Sequence, residues 1–135
     1  YNVVREGDAL LIDESYFWTS FDGGLDSVVY QLTLDDTVQY TWPTPGLHHS
    51  FDDIAPGTIA WMGLKGTDDI LYISDDGKDA EVLWACMGWL ESVGLAGGPG
   101  PGGAYDSCGA NAISWYEPRD SYVLSLFSHE LVLEV

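Results

Sequence analysis

Basic side chains are scarce in this 135-residue sequence, which has four Lys and Arg residues against 22 Asp and Glu residues and a formal net charge of −18. Binding to nucleic acid or to an anionic membrane depends on clustered Lys and Arg that neutralise phosphate groups. We therefore predict no nucleic acid and no membrane among the partners. The acidity predicts a secreted protein of an acidic environment, and it leaves open a salt-adapted surface or a surface that docks on a basic protein.

Long hydrophobic runs and cysteines are also scarce. No apolar run approaches the roughly 18 residues that a membrane span requires, although the hydrophobic content of 46% predicts a folded chain. The sequence opens on Tyr1 rather than Met, as a processed secreted protein does. The only two cysteines, Cys86 and Cys108, predict one disulfide in an oxidising compartment and hence an extracellular location. The alternative is a pair of buried free thiols in a cytosolic protein.

Short apolar runs separated by turn residues predict an all-β fold. Residues 28–34 and 38–42 alternate as a hairpin, and a second hairpin joins residues 70–74 to residues 80–90 through a turn with positive φ near Gly77. We predict one domain over residues 1–135, an antiparallel sandwich or barrel of about ten strands with a long Gly/Pro-rich loop at 97–103. Residues 80–90 also fit helical spacing. Residues 43–57 are predicted to be a surface loop, and no internal repeat is evident, while a propeller would need more blades than this length supplies unless the chain oligomerised.

A catalytic alternative rests on four residues of the predicted 43–57 loop, His48, His49, Asp52 and Asp53. A neutral imidazole beside carboxylates suits a general base or a metal site, and hence a small secreted hydrolase or lyase. Their spacing matches no standard ligand pattern, and a solvated polar loop is the favoured interpretation. Carboxylate pairs at 35–36, 52–53, 68–69 and 75–76 suit turns better than calcium. We therefore predict no catalytic residue, metal or cofactor.

The aromatic residues carry the leading hypothesis for function. Six tryptophans are more than a β core of this size needs, so some of them should be exposed, although all six in the core is the alternative. An exposed ring packs on the C–H face of a sugar, while carboxylates orient hydroxyl groups. The sequence thus predicts a non-catalytic module that binds carbohydrate or another small ligand. The predicted ligand surface contains Trp42, Tyr105, Trp18, Asp52, Asp53 and Asp106.

Overall fold

The computed structural model describes residues 3–14, 27–35, 37–95 and 108–135, and this part of the chain is mostly β-strand. No helix among these residues is long and apolar enough to cross a membrane. The elements are β1 Val3–Glu6, β2 Ala9–Glu14, β3 Val28–Thr33, β4 Val38–Pro43, β5 Leu47–Ala55, β6 Thr58–Lys65, β7 Asp68–Asp75, β8 Glu81–Ala85, α1 Cys86–Ser92, β9 Ala110–Tyr116, β10 Ser121–Leu126 and β11 Leu131–Glu134.

The strands form three antiparallel sheets that follow one another along the chain. Sheet 1 has the order β1-β2-β3-β4, sheet 2 the order β5-β6-β7-β8, and sheet 3 the order β11-β10-β9. The all-β prediction is confirmed. The described strands form three sheets without closure into a barrel, so the finer prediction of a sandwich or barrel of about ten strands is not confirmed. The sheets repeat one meander pattern although the sequence shows no repeat.

Sheet 2 lies between the other two sheets, because its strands are apolar on both faces. Alternate residues of a strand point to opposite faces. On β6, Ile59 and Trp61 join a buried cluster with Leu11 of sheet 1, whereas Ala60 and Met62 join a second cluster with residues of sheet 3 and α1. Each neighbouring sheet therefore covers one face of sheet 2.

A tight connection joins sheet 1 to sheet 2 between β4 and β5. Gly46 has a φ of +70°, and a Cβ atom there would lie 2.3 Å from the backbone oxygen of Leu64. The Leu64 N–H donates to the Gly46 carbonyl at 2.8 Å. A residue with a side chain fits neither the left-handed backbone nor the space. Glycine at this position therefore allows the connection to pack directly on β6.

The predicted surface loop at 43–57 is wrong over most of its length, since β5 occupies Leu47–Ala55. In the pairing of β5 with β6, Leu47 lies opposite Gly63 and Phe51 lies opposite Trp61, so β5 carries two extra residues between these pairs. His49 within this bulge has a positive φ of 62°. The bulge breaks the two-residue alternation on which recognition of a strand depends. Prolines at 43, 45 and 56 lie outside β5 rather than within it.

The pattern of residues 80–90 fitted both a strand and a helix, and the structure contains one of each. Glu81–Ala85 is strand β8, and Cys86–Ser92 is helix α1, in which Cys86 and Leu90 are buried. Those two residues are four apart and so lie on one face of the helix. A strand through residue 90 is therefore wrong, whereas the hairpin turn is confirmed, with a φ of 70° at Gly77.

The predicted disulfide is present between Cys86 and Cys108, whose Cα atoms are 6.3 Å apart. Both cysteines are fully buried in the cluster between sheets 2 and 3. The bond ties the start of α1 to the residue that precedes β9 by two positions. It therefore fixes sheet 3 against sheet 2 across a long stretch of sequence.

Removing this bond is expected to lower the free energy of unfolding by about 3 kcal/mol, because the unfolded chain regains the freedom of a loop of about 22 residues. Urea unfolding with and without dithiothreitol measures the loss. The double variant Cys86→Ala/Cys108→Ala is the control, since dithiothreitol should not change its unfolding curve. Two free thiols in the mass spectrum of the unreduced protein would contradict the bond.

Candidate functional site

A buried histidine–aspartate pair lies at the junction of sheets 2 and 3. The Nε2 atom of His48 on β5 lies 2.8 Å from the Oδ1 atom of Asp69 on β7, and both side chains are at most 3% exposed. The Oδ2 atom of Asp69 accepts the backbone N–H of Ala110 at 3.2 Å. Asp69 therefore joins strands of two sheets. Its carboxylate faces the protein interior, so the pair is poorly placed to act on a ligand in solvent.

The neighbouring His49 lies in the bulge of β5 and is exposed. Its ring meets the His48 ring edge to face, with centroids 5.3 Å apart. Partial burial of the ring lowers the pKa of His49, the proximity of His48 lowers it further, and Asp69 opposes both effects. His49 is therefore a neutral imidazole at neutral pH, which is the form that accepts a proton.

Asp52 of β5 binds sheet 3 rather than a histidine. Its Oδ2 atom accepts the backbone N–H of Trp115 on β9 at 2.6 Å, and Ser50 likewise accepts the N–H of Ile113 at 3.0 Å. Burial raises the pKa of Asp52, and this effect outweighs the hydrogen bond from Trp115, which lowers it; the adjacent Asp53 raises it as well. The two β5 side chains thus satisfy donors on the edge of β9.

Of the four residues of the catalytic alternative, the structure brings His48 and His49 together but places Asp52 against sheet 3. His48 contacts Asp69, Asp52 contacts Trp115, and His49 is exposed. Asp53 is half-buried on the same strand. In the described residues, no three His, Cys, Asp or Glu side chains are grouped so that they could hold a metal ion. The predicted contact between a histidine and the carboxylates at 52–53 is not among the contacts of the described residues.

From the raised pKa of Asp52 we predict how the stability of the protein depends on pH. The folded state holds the proton above the ordinary pKa of 3.8, so this group's contribution to stability is greatest below that value and is lost as pH rises through the raised folded pKa. The melting temperature should therefore fall more between pH 4 and pH 7 in the wild type than in Asp52→Asn. The asparagine keeps an oxygen for the Trp115 N–H, and the repulsion among the other carboxylates is common to both proteins. Matching profiles would contradict the prediction.

Only some residues of the predicted ligand surface lie in the described part of the chain and can be compared with the structure. Trp42 was expected to be exposed, and this is wrong: it is fully buried in the cluster between sheets 1 and 2, where its Nε1–H donates to the Gly57 carbonyl at 3.2 Å. A buried indole with a satisfied N–H has no face left for a sugar. Trp18, Tyr105 and Asp106 lie outside the described residues.

An aromatic cleft lies instead between strand β8 of sheet 2 and strand β10 of sheet 3. It has a volume of about 260 Å³. Trp84 is half-buried there, and Leu83 is 47% exposed. Its lining residues are Leu71, Leu83, Trp84, Asp120, Tyr122 and Val135.

Trp84 and Tyr122 determine the chemistry of this cleft. Trp84 lies opposite Leu71 in the β7–β8 pairing, so both side chains point toward sheet 3. The ring of Tyr122 packs on Trp115 with centroids 4.8 Å apart. Burial raises the pKa of the Tyr122 phenol, and the carboxylates of Asp120 and Asp52 raise it further. The cleft therefore combines an indole face, a neutral phenol and an exposed carboxylate.

Sequence reasoning considered Trp84 only as one of six tryptophans and did not select Tyr122 or Asp120. Asp120 ends the 3-10 turn Glu117–Arg119 and has a positive φ of 53°. The signal in the sequence was the Pro-Arg-Asp turn two residues before Tyr122. That signal points to a site only once β8 and β10 are known to be neighbours.

Comparison with known proteins gives no further constraint on this site. No protein-family model, no curated protein and no solved structure matches the chain. The chemistry of the site must therefore be argued from its side chains.

Proposed function

We propose that this protein is a secreted, non-catalytic binding module that holds a carbohydrate in the cleft between β8 and β10. The observation that carries the proposal is the combination of a half-buried Trp84 with the exposed Asp120 carboxylate in one cleft. An indole face packs on the C–H groups of a sugar ring, and a carboxylate accepts hydrogen bonds from its hydroxyl groups. Tyr122 adds a hydroxyl that stays protonated.

The walls of the cleft support binding because they are already packed. Leu71 and Tyr122 are at most 8% exposed, and Leu71 belongs to the cluster that contains the disulfide. A preformed wall loses little conformational entropy when a ligand binds. Leu83, on the edge strand, supplies the apolar surface that a ligand would remove from water.

Secretion is the compartment that suits these features best. The Cys86–Cys108 disulfide persists in an oxidising environment. The net charge of −18 favours neutral or cationic ligands over anionic ones. The enzyme alternative has less support, because its His48 is 3% exposed and contacts Asp69 rather than a cleft.

The proposal is tested with a glycan array followed by titration of wild type and variants against the best glycan. Trp84→Ala and Leu83→Ala are expected to weaken binding at least about tenfold, equal to about 1.4 kcal/mol, because buried aromatic and apolar contacts dominate such sites. Val82→Ala is the matched control: Val82 adjoins Leu83 on β8, is 57% exposed and does not line the cleft.

A second matched pair tests the carboxylate. Asp120→Asn should weaken binding, whereas Glu130→Gln should not, although both residues follow a 3-10 turn with a positive φ. An array without a bound glycan would reject carbohydrate as the ligand class. Binding that survives both cleft substitutions would move the site elsewhere, and turnover of the glycan would favour the enzyme.

A further inference from the structure

The outer face of sheet 1, which points away from sheet 2, has an apolar centre flanked by Arg5 and Glu14. Leu10 and Ile12 on β2 and Tyr30 and Leu32 on β3 form its centre and are half-buried. These four residues belong to neither buried cluster of the described chain. Two more apolar residues extend the patch, because Val3 pairs with Ile12 and Val38 pairs with Leu32. Their exposed fractions are 60% and 53%.

This outer face matches the face of sheet 2 that packs on sheet 1. Tyr30 lies opposite Ile12 in sheet 1, just as Tyr72 lies opposite Trp61 in sheet 2. Ile12 is the fourth residue of its strand, and Trp61 is the fourth residue of the corresponding strand. In sheet 2 the Trp61 and Tyr72 rings belong to the cluster with Leu11, Val29 and Trp42 of sheet 1. The corresponding positions in sheet 1 therefore carry large apolar residues, of the kind on which a neighbouring sheet packs.

The outer face of sheet 3, which points away from sheet 2, carries apolar residues among polar ones. Val123 is half-buried on this face, and Val132 is 71% exposed. Val132 pairs with Ser125, and Val123 lies between Ser114 and Glu134, so two serines and one carboxylate adjoin the two valines. The opposite face of the same strands, with Leu124, is buried against sheet 2.

Stacked repeats in which each unit contacts only its neighbours need polar outer faces on their end units. The outer face of sheet 1 is not polar at its centre, and that of sheet 3 exposes two valines among its polar residues. Antiparallel four-stranded sheets that repeat face to face form rings of typically about four to eight sheets, and two copies of this chain would hold six described sheets. We propose that the outer face of sheet 1 docks on the outer face of sheet 3 of a second copy of this chain, continuing the packing that joins its own three sheets.

The charge of the chain gives this contact a recognisable salt dependence. Each copy has a net charge of −18, which opposes association at low ionic strength. Salt screens that repulsion and does not weaken apolar contact. Dimers should therefore be more populated at 0.5 M than at about 0.02 M sodium chloride. The opposite dependence would indicate an ionic contact and would overturn the proposal.

Sedimentation equilibrium of the protein between about 1 and 200 µM tests the contact directly. The wild type is expected to dimerise, and Ile12→Lys, Val38→Lys and Val132→Lys are expected to weaken the dimer at least tenfold. Val38 and Val132 are exposed enough that lysine should not disturb the fold, and an unchanged melting temperature checks this. Val93→Lys is the control, because Val93 is 49% exposed and follows α1, outside both faces.

Mixing two variants distinguishes this head-to-tail contact from a symmetric one. Val38→Lys retains the face of sheet 3, and Val132→Lys retains the face of sheet 1, so an equimolar mixture should recover dimers that neither variant forms alone. A dimer that survives Val132→Lys, or one that mixing does not restore, would overturn the proposal. So would a wild type that stays monomeric at every concentration and salt condition.

Discussion

Trp42→Ala is expected to lower the free energy of unfolding by about 3–5 kcal/mol, the usual cost of truncating a large buried aromatic side chain. For a protein of this size that corresponds to a fall in melting temperature of roughly 10–20 °C. Trp42 is fully buried between sheets 1 and 2, its ring stacks on Tyr40 at 5.4 Å, and its N–H satisfies the Gly57 carbonyl. The substitution removes all three contributions. Thermal unfolding followed by circular dichroism measures the loss.

Two further variants separate packing from hydrogen bonding at this position. Trp42→Phe keeps an aromatic ring in the cluster but lacks the N–H, so it should lie between wild type and Trp42→Ala. Val82→Ala serves as the control and should change stability by no more than about 0.5 kcal/mol, since Val82 is exposed on the edge of sheet 2. A Trp42→Ala protein as stable as Val82→Ala would mean that the indole is not in the core.

Trp42 also shows where sequence reasoning about the site reached its limit. The alternation of β4 correctly predicts that Tyr40 and Trp42 share one face. It does not say which face another sheet covers, because that depends on how sheet 1 packs on sheet 2. Proximity to Pro43 suggested a strand end open to solvent, and the end of β4 is instead covered by the β5–β6 turn at Gly57.

Features that depend on neighbouring residues were predictable. The Asp-Asp-Gly turn at 75–77 specifies a hairpin whatever surrounds it, and the structure has positive φ at Asp76 and Gly77. The disulfide followed from the presence of only two cysteines. The turn rests on local chemistry, and the disulfide rests on a count that left one possible pair, which the fold brings within bonding distance.

Features that depend on distant residues were not predictable. The division of eleven strands into three sheets is set by contacts such as that of Asp52 with the Trp115 N–H, 63 residues along the chain. The cleft around Trp84 exists only because β8 and β10, in different sheets, are neighbours. A single sequence contains the residues of such a site but not their proximity.

The carboxylate pairs are a second case in which contacts between distant segments could not be predicted from the sequence. They were expected to occupy turns without a further role, yet two of the four pairs, 52–53 and 68–69, bind backbone N–H groups of distant segments. Asp68 accepts the Met87 N–H at 2.9 Å, and Asp69 accepts the Ala110 N–H at 3.2 Å. Adjacent strand residues point to opposite faces, which is how one pair serves two segments. Some of the acidic residues therefore stabilise the fold instead of adding charge to the surface.

Asp69→Ala is expected to lower the free energy of unfolding by about 3–5 kcal/mol, because it removes the buried carboxylate that adjoins His48 and accepts the Ala110 N–H. Asp69 is 1% exposed, lies 2.8 Å from His48 Nε2 and accepts the Ala110 N–H. Asp69→Asn keeps an oxygen for Ala110 and should recover part of the loss. Asp68→Ala is the matched control: its carboxylate is less buried and accepts a single N–H, so about 1.5–3 kcal/mol is the most that it should cost. Urea unfolding of the three variants gives the comparison. An Asp69→Ala protein no less stable than Asp68→Ala would show that Asp69 does not hold sheets 2 and 3 together.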